Sequence, residues 1–165
     1  SKVVRLYISV VSMKLMDFIV QKSVELGVTD LYPTYTLRSQ YKNVKKKLDH
    51  WKRIAIHATE QCGRLRLMNI HMPLACDNFI SKQSNLSKFV LHQDGEMFST
   101  NELQCDDISL FVGPEGGFDS SEIESFKTNG WKLKTINVNI LRTETACISA
   151  LTLLNNYDIF SRYSL

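Results

Sequence analysis

Phe89-Val90-Leu91 and Ile108 to Val112 are strand-length runs with almost no polar break, and they constrain the fold more than any other feature of the chain. A strand with one wet face alternates apolar and polar side chains. A run that is apolar on both faces has to be covered on both, as in a parallel sheet held between helices. The rest of the chain supplies the partners. Val3 to Val11 and Leu133 to Val138 read as further strands, and Asp30 to Thr36 as another. Pro33 argues for an edge position or a bulge there, because proline cannot donate to a ladder. Leu15 to Leu26 has helical periodicity through Leu15, Phe18, Ile19, Val24 and Leu26, with Gly27 placed to stop it. A long helix is expected from the basic residues at Lys42 through Trp51, Ile54, Ala55 and Ala58 to Cys62-Gly63. Leu65 to Met72 is a strand or an extended connection closed by Pro73. Asp77 to Lys82, Ser120 to Thr128 (ended by Asn129-Gly130) and Thr143 to Tyr157 complete the helices. This alternation predicts one α/β domain over residues 1–165, built around a largely parallel sheet.

Within that frame Phe111-Val112-Gly113-Pro114-Glu115-Gly116-Gly117-Phe118 leaves an apolar strand through a stiff, then permissive, backbone. It enters a helix at Asp119-Ser120-Ser121-Glu122, where Asp119 and Glu122 have capping-box spacing. Strand, glycine-rich turn and helix N-terminus together make a common site for a small polar ligand, although the same stretch also serves as a plain tight turn. Ile140-Leu141-Arg142-Thr143-Glu144-Thr145-Ala146 marks the last strand-to-helix turn. Thr143 is the expected N-cap, Glu144 suits the helix dipole, and Arg142 presents a cation at the carboxyl edge of the sheet, where ligands bind in open α/β folds.

Charge separates the chain into unequal parts. Between Arg38 and Arg66 lie nine basic and two acidic residues, a net of +7, against −4 for the remainder. A basic block on a near-neutral body suits a polyanion, nucleic acid first, and Lys42, Lys45, Lys46, Arg64 and Arg66 are its candidate contacts alongside Arg38. A solvated lysine-rich helix face is the bland alternative. The four cysteines and four histidines show no metal-ligand spacing, so no metal is expected, and reduced thiols fit a cytoplasmic protein. No run reaches the length of a membrane span. There is no Gly-Lys-Ser/Thr after the glycines and no G-x-G-x-x-G, which excludes the common phosphate-loop and dinucleotide fingerprints, and no Ser-His-Asp or Cys-His set stands out.

Gly113-Pro114-Glu115-Gly116-Gly117, followed about two dozen residues later by Ile140 to Ala146, resembles the bacterial small-subunit (16S) rRNA uracil-N3 methyltransferases of the SPOUT superfamily. Earlier segments agree: Gln21-Lys22 with Glu25 to Val28, Arg38-Ser39, and Trp51-Lys52, Ile54-Ala55 and Glu60 to Arg64 look like that family's first helix, second-strand exit and long helix. The resemblance implies a SPOUT methyltransferase domain with a deep C-terminal trefoil knot, an exception to unthreaded chains. It implies S-adenosyl-L-methionine held by Leu91, His92, residues 113–117, Ile136, Asn137, Leu141, Arg142, Thr143, Thr145 and Ala146. It further implies a homodimer acting on 16S rRNA or the small ribosomal subunit, and an N-terminal PUA-like RNA-binding domain expected ahead of Ser1.

For methyl transfer to uracil N3, Arg142 is the candidate to stabilise charge on the ring and Arg38 to orient RNA. Glu144 and Glu115 are the nearest carboxylates, for positioning or for accepting a proton. The chain departs from the family pattern at Leu15, Leu37, Asn137 and Asn139. Asn137 stands where relatives have a glycine, and asparagine is the residue that best keeps a left-handed turn in its place. A non-catalytic RNA-binding module with a structural glycine turn, and a nucleotide-binding enzyme of another class, are the competing readings.

Overall fold

The computed structural model describes residues 2–82, 87–137 and 139–163. Seven strands form one sheet in the order β3-β2-β1-β6-β5-β7, with β4 also paired to β2, and every pairing is parallel. In chain order the elements are β1 (Val3–Ser9), α1 (Met13–Glu25), β2 (Asp30–Tyr35), α2 (Leu48–Cys62), β3 (Asn69–Ile70), β4 (Leu74–Ala75), α3 (Asp77–Ile80), β5 (Ser87–Met97), α4 (Thr100–Leu103), β6 (Asp107–Val112), α5 (Ser120–Thr128), β7 (Lys132–Thr135) and α6 (Thr143–Ser161). The expected α/β class and parallel sheet are what the chain adopts.

The unbroken apolar strands do what their pattern requires. On one face Leu6, Ile8, Phe89, Ile108, Leu110 and Val112 pack with Met16, Ile19, Trp51, Ala150 and Leu154 of α1, α2 and α6. On the other, Tyr7, Val90 and Phe111 meet Phe79, Ile80, Phe118, Phe126 and Trp131 of the α3 and α5 side. Tyr7 and Phe111 are register partners and stack with centroids 5.4 Å apart, while Trp131 donates its indole N–H to Ile80 O at 2.9 Å. Two covered faces make the sheet the middle of three layers.

Several boundaries differ from expectation, each for a local reason. Pro33 lies in an interior strand, between β1 and the β3–β4 side. It is tolerated because the flanking strand is broken opposite it. The register runs from Leu31↔Ile70 to Thr34↔Leu74, and among the described residues no partner on that side pairs with Pro33 itself. The helix expected from Lys42 begins at Leu48, after a 3-10 turn over Lys45–Lys47, and ends at Gly63 with φ of 75° as its composition predicts. Phe18, expected on the packed face of α1, is exposed, and Met16 and Val20 take its place. Of the strand expected over Leu133 to Val138, β7 covers Lys132–Thr135, and Val138 lies outside the described residues.

Candidate active site

Three connections leave the carboxyl ends of β5, β6 and β7 side by side. After β6, Gly113 sits so close to the Phe118 ring that a Cβ would fall 2.9 Å from it. Pro114 O accepts from Gly117 N–H at 2.9 Å, closing a tight turn whose last residue has φ of 72°, a conformation costly for any residue with a side chain. The capping box then forms in full. Asp119 N–H donates to Glu122 Oε1 and Ser121 N–H to Asp119 Oδ1, each at 2.9 Å. Hydrogen bonds from Ser121 and the charge of Arg38 hold the Asp119 carboxyl below its ordinary pKa.

The turn is gripped from two distant parts of the chain. Arg38, just past β2, donates from Nη1 to Gly116 O at 3.0 Å. Its neighbours are anchored too: Leu37 N–H donates to Glu122 Oε2 at 3.0 Å, and Ser39 Oγ donates to Val10 O at 2.7 Å. From the other side Thr143 Oγ1 donates to Gly113 O at 3.1 Å. This corrects the expected N-cap: Arg142 occupies that position with extended backbone, and Thr143, the first helical residue, spends its hydroxyl on the glycine turn instead.

The third connection interrupts β5. Leu91 and Glu96 both pair with Lys134, so His92 to Gly95 loop out as a bulge. A Cβ on Gly95 would lie 2.5 Å from the Lys134 main chain. Lys134 itself is only 4% exposed and forms an ion pair with Glu102 at 2.7 Å. Burial pushes the Glu102 pKa up, but hydrogen bonds from Lys134 and the Ser99 main chain outweigh it and hold the group below its usual value.

Between these connections lies a cavity of about 320 Å³, a size at the lower end for small-molecule sites. Of the residues expected to hold a cofactor, Leu91, His92, residues 113–117, Ile136, Asn137, Leu141, Thr143 and Ala146 line it. Arg142 and Thr145 are exposed outside the lining, and Glu144 is half-buried there. Arg142 makes no side-chain hydrogen bond or ion pair with any described residue. Asn137 is not left-handed; among described non-glycine residues only Asn43 is. Arg38, expected at the RNA, also lines the cavity, as do Gln93, Val112, Phe118, Lys134, Thr135, Asn139 and Ile140, for which the motifs gave no signal beyond their flanking positions. The lining joins main-chain polar groups of the glycine turn to aliphatic side chains such as Leu91, Val112 and Leu141. That donor set fits a ligand with flat apolar faces and polar edges.

The basic block divides in the same way. Lys45 and Lys46 are exposed on the 3-10 turn, Arg66 is exposed, and Lys42 reaches back to Thr36 O at 2.6 Å. Arg64 does not face outward. Its Nη1 donates to Val24 O and Val28 O, both at 2.9 Å, closing the carboxyl end of α1, and burial lowers its pKa. Among the described residues no group of side chains could hold a metal ion, and no helix is long and apolar enough to cross a membrane.

An α/β domain with a half-apolar cavity at the carboxyl ends of its strands is the class that binds a small ligand at that edge. The family model for an RNA methyltransferase domain matches residues 1–155. The ribosomal RNA small subunit methyltransferase E of Aquifex aeolicus is 35% identical over 159 residues, covering 94% of this chain and 69% of that protein. The enzyme of the same name from Mesomycoplasma hyopneumoniae is 30% identical, covering 89% and 66%. Ribosomal RNA small subunit methyltransferase E from Neisseria gonorrhoeae, solved bound to S-adenosyl methionine, superposes with a TM-score of 0.87 at 30% identity over 93% of this chain and 65% of that one. A Legionella pneumophila protein solved with bound SAM gives 0.86 at 33%, over 93% and 66%. The chain belongs to the RNA methyltransferase domain family, and within it to the ribosomal RNA small subunit methyltransferase E group. It spans about two thirds of the length of these relatives.

Proposed function

We propose that this chain is the S-adenosylmethionine-dependent methyltransferase domain of an enzyme that modifies N3 of a specific uridine in 16S ribosomal RNA. The observation that carries the reading is the cavity itself: the glycine turn, the β5 bulge and the exit of β7 converge on one space at the carboxyl edge of the sheet. Relatives that share this fold at 30% identity or more are solved with that cofactor. S-adenosylmethionine supplies a sulfonium methyl open to in-line displacement. The main chain of residues 113–117 and the walls at Leu91, Ile136, Asn137, Leu141, Thr143 and Ala146 hold and orient the ligand. A deep trefoil knot in the C-terminal part follows from the same kinship, and the bond from Thr143 to Gly113 supports it by tying the two loops such a knot would bring together.

Arg142 carries the chemistry. Loss of the N3 proton leaves negative charge on the uracil ring and its carbonyls, and the Arg142 cation beside the cavity stabilises it. Glu144, in the first turn of α6, orients that arginine or takes the proton. Arg38 meets the RNA at the cavity mouth, and Lys42, Lys45, Lys46 and Arg66 follow its phosphates, with Arg64 withdrawn from that surface. A homodimer is supported by Ile159 and Phe160, both more than half exposed near the end of α6. Acting on ribosomal RNA, the protein would work in the cytoplasm.

The test is calorimetry of S-adenosylmethionine on the purified chain, followed by mass spectrometry of 16S rRNA after incubation as naked RNA and as small subunits. Saturable cofactor binding and a single methylated uridine are expected. A folded chain that takes up no cofactor would refute the reading. The competing reading, a non-catalytic RNA-binding module, requires salt-dependent RNA binding that is indifferent both to Gly116→Val and to added cofactor.

A further inference from the structure

Glu122 does more than its capping box needs. Closing the box takes one oxygen, Oε1, which accepts from Asp119 N–H at 2.9 Å. The second oxygen, Oε2, turns away from α5 and accepts from Leu37 N–H at 3.0 Å and from the Cys76 thiol at 3.3 Å. The side chain is buried, with the whole residue 4% exposed, so each of these bonds is made in a dry setting where an orphaned donor is costly. Burial pushes the Cys76 pKa far up, with the charge of Glu122 adding to it, so the thiol stays protonated and able to donate.

Leu37 is the residue that makes the second bond informative. The residue is 66% exposed, so its own side chain does not hold it in place, and its main-chain bond to Glu122 does, between the buried anchors Thr36 and Ser39. One residue on, Arg38 donates to Gly116 O and lies 3.9 Å from Asp119. The Glu122 carboxyl group therefore joins the segment 36–39 to the start of α5, and Arg38 of that segment carries the link on to the glycine turn. Nη1 donates to Gly116 and Nη2 pairs loosely with Asp119, and the remaining N–H groups of the half-exposed guanidinium face outward for a phosphate or a carbonyl.

We propose that Glu122 is a positioning residue for RNA: by fixing Leu37 to the N-terminus of α5 it presents Arg38 across the cavity mouth, so that the glycine turn and the RNA-facing arginine form one body. This rests on the reading of the chain as an RNA methyltransferase. It goes beyond that reading in assigning a recognition role to a buried carboxyl group that touches neither ligand.

The test is a double-mutant cycle on the full 165-residue chain, using Glu122→Gln, Arg38→Ala and the pair. The amide replaces one of the two accepting oxygens by an NH2 that only donates, so the Asp119 and Leu37 N–H groups, each on its own oxygen here, lose one acceptor between them. Glu122→Gln is expected to speed exchange of the Leu37 amide in NMR and to weaken binding of naked 16S rRNA about tenfold, the equivalent of one charge-assisted hydrogen bond. Affinity for S-adenosylmethionine, measured separately by calorimetry, should change less than about twofold. In the Arg38→Ala background the further loss of RNA affinity should vanish. Ile123→Val, one residue along the same helix, supplies a control of comparable thermal destabilisation with no link to Leu37. If Glu122→Gln and Arg38→Ala add, or if Ile123→Val weakens RNA binding equally, the positioning role is wrong while the methyltransferase reading stands. If the unsubstituted chain binds no cofactor, that reading fails and this one with it.

Discussion

The wall of the cavity carried by β6 and α5 is tied down by hydrogen bonds from several parts of the chain, whereas the wall carried by β7 and α6 leaves side chains outward. On the first, Gly117 N–H is held by Pro114 O, Gly116 O by Arg38 and Gly113 O by Thr143, and both halves of the capping box form. On the second, Ile140 is 85% exposed, Arg142 is exposed, and the cap position of α6 has no side-chain bond. A wall held at these points is preformed, and substitutions that break those bonds cost stability. A wall with unspent side chains is available to a ligand, and its substitutions cost function.

Arg142→Ala tests that division most severely. Loss of a cation aimed at developing charge costs about a hundredfold or more in the rate of transfer. An exposed side chain without partners leaves stability within about 0.5 kcal/mol. Single-turnover transfer to 16S rRNA and calorimetric unfolding read the two quantities separately. A large fall in Tm with little loss of rate would place Arg142 in the structural wall and end the contrast. Thr143→Val is the converse. It removes the donor to Gly113 O at almost constant volume and leaves that carbonyl without its bond, at a cost of about 2 kcal/mol. For a domain of this size that is a fall in Tm of roughly 4–8 °C, which a thermal melt detects directly.

Beneath the second wall the support is ionic, which makes it sensitive to pH. Glu102 holds Lys134 under the β5 bulge, and its folded-state pKa lies below the ordinary 4.5. A carboxyl group shifted down stabilises the fold fully above its unfolded value, and that contribution is lost as pH falls through the folded one. Glu102→Gln is therefore expected to cost about 1.5 kcal/mol at pH 7, where a buried lysine loses its counter-ion. The gap from the unsubstituted chain should shrink below pH 4.5 as Glu102 itself takes up a proton. Denaturant titrations at pH 7 and pH 3.5 check it, and a pH-independent gap would mean that shape rather than charge supports this wall.

What could be read along the chain was whatever the local pattern decides. The apolar parity of residues 89–91 and 108–112 set a doubly covered parallel sheet, and Asp119-x-x-Glu122 set a helix start that forms as spelled. The same spacing at Ser99 and Glu102 announces α4, which the reading passed over because only four residues follow. Long-range pairings were not legible. Nothing near Thr143 says that its hydroxyl goes to Gly113, nothing near Arg64 says that it closes α1, and Pro33 is allowed in an interior strand only because a different segment breaks opposite it. The cavity was recognised by motif on both walls, but Gln93 and Lys134 enter it through the β5 bulge, a register shift that no local signal marks.

The mildest comparison sets one residue of each wall against the other. Gly117 has φ of 72° and Asn137 does not share that region. Gly117→Ala forces a side chain into left-handed backbone and should cost about 1 kcal/mol. Asn137→Gly relieves no strain, because there is none of that kind to relieve, and it widens the choices of the unfolded chain. Its expected effect is a loss of about 0.5 kcal/mol rather than a gain. Thermal melts of the two variants decide the matter. A stabilised Asn137→Gly would mean that the exit of β7 carries hidden backbone strain, and the second wall would then owe its openness to strain relief and not to unspent side chains.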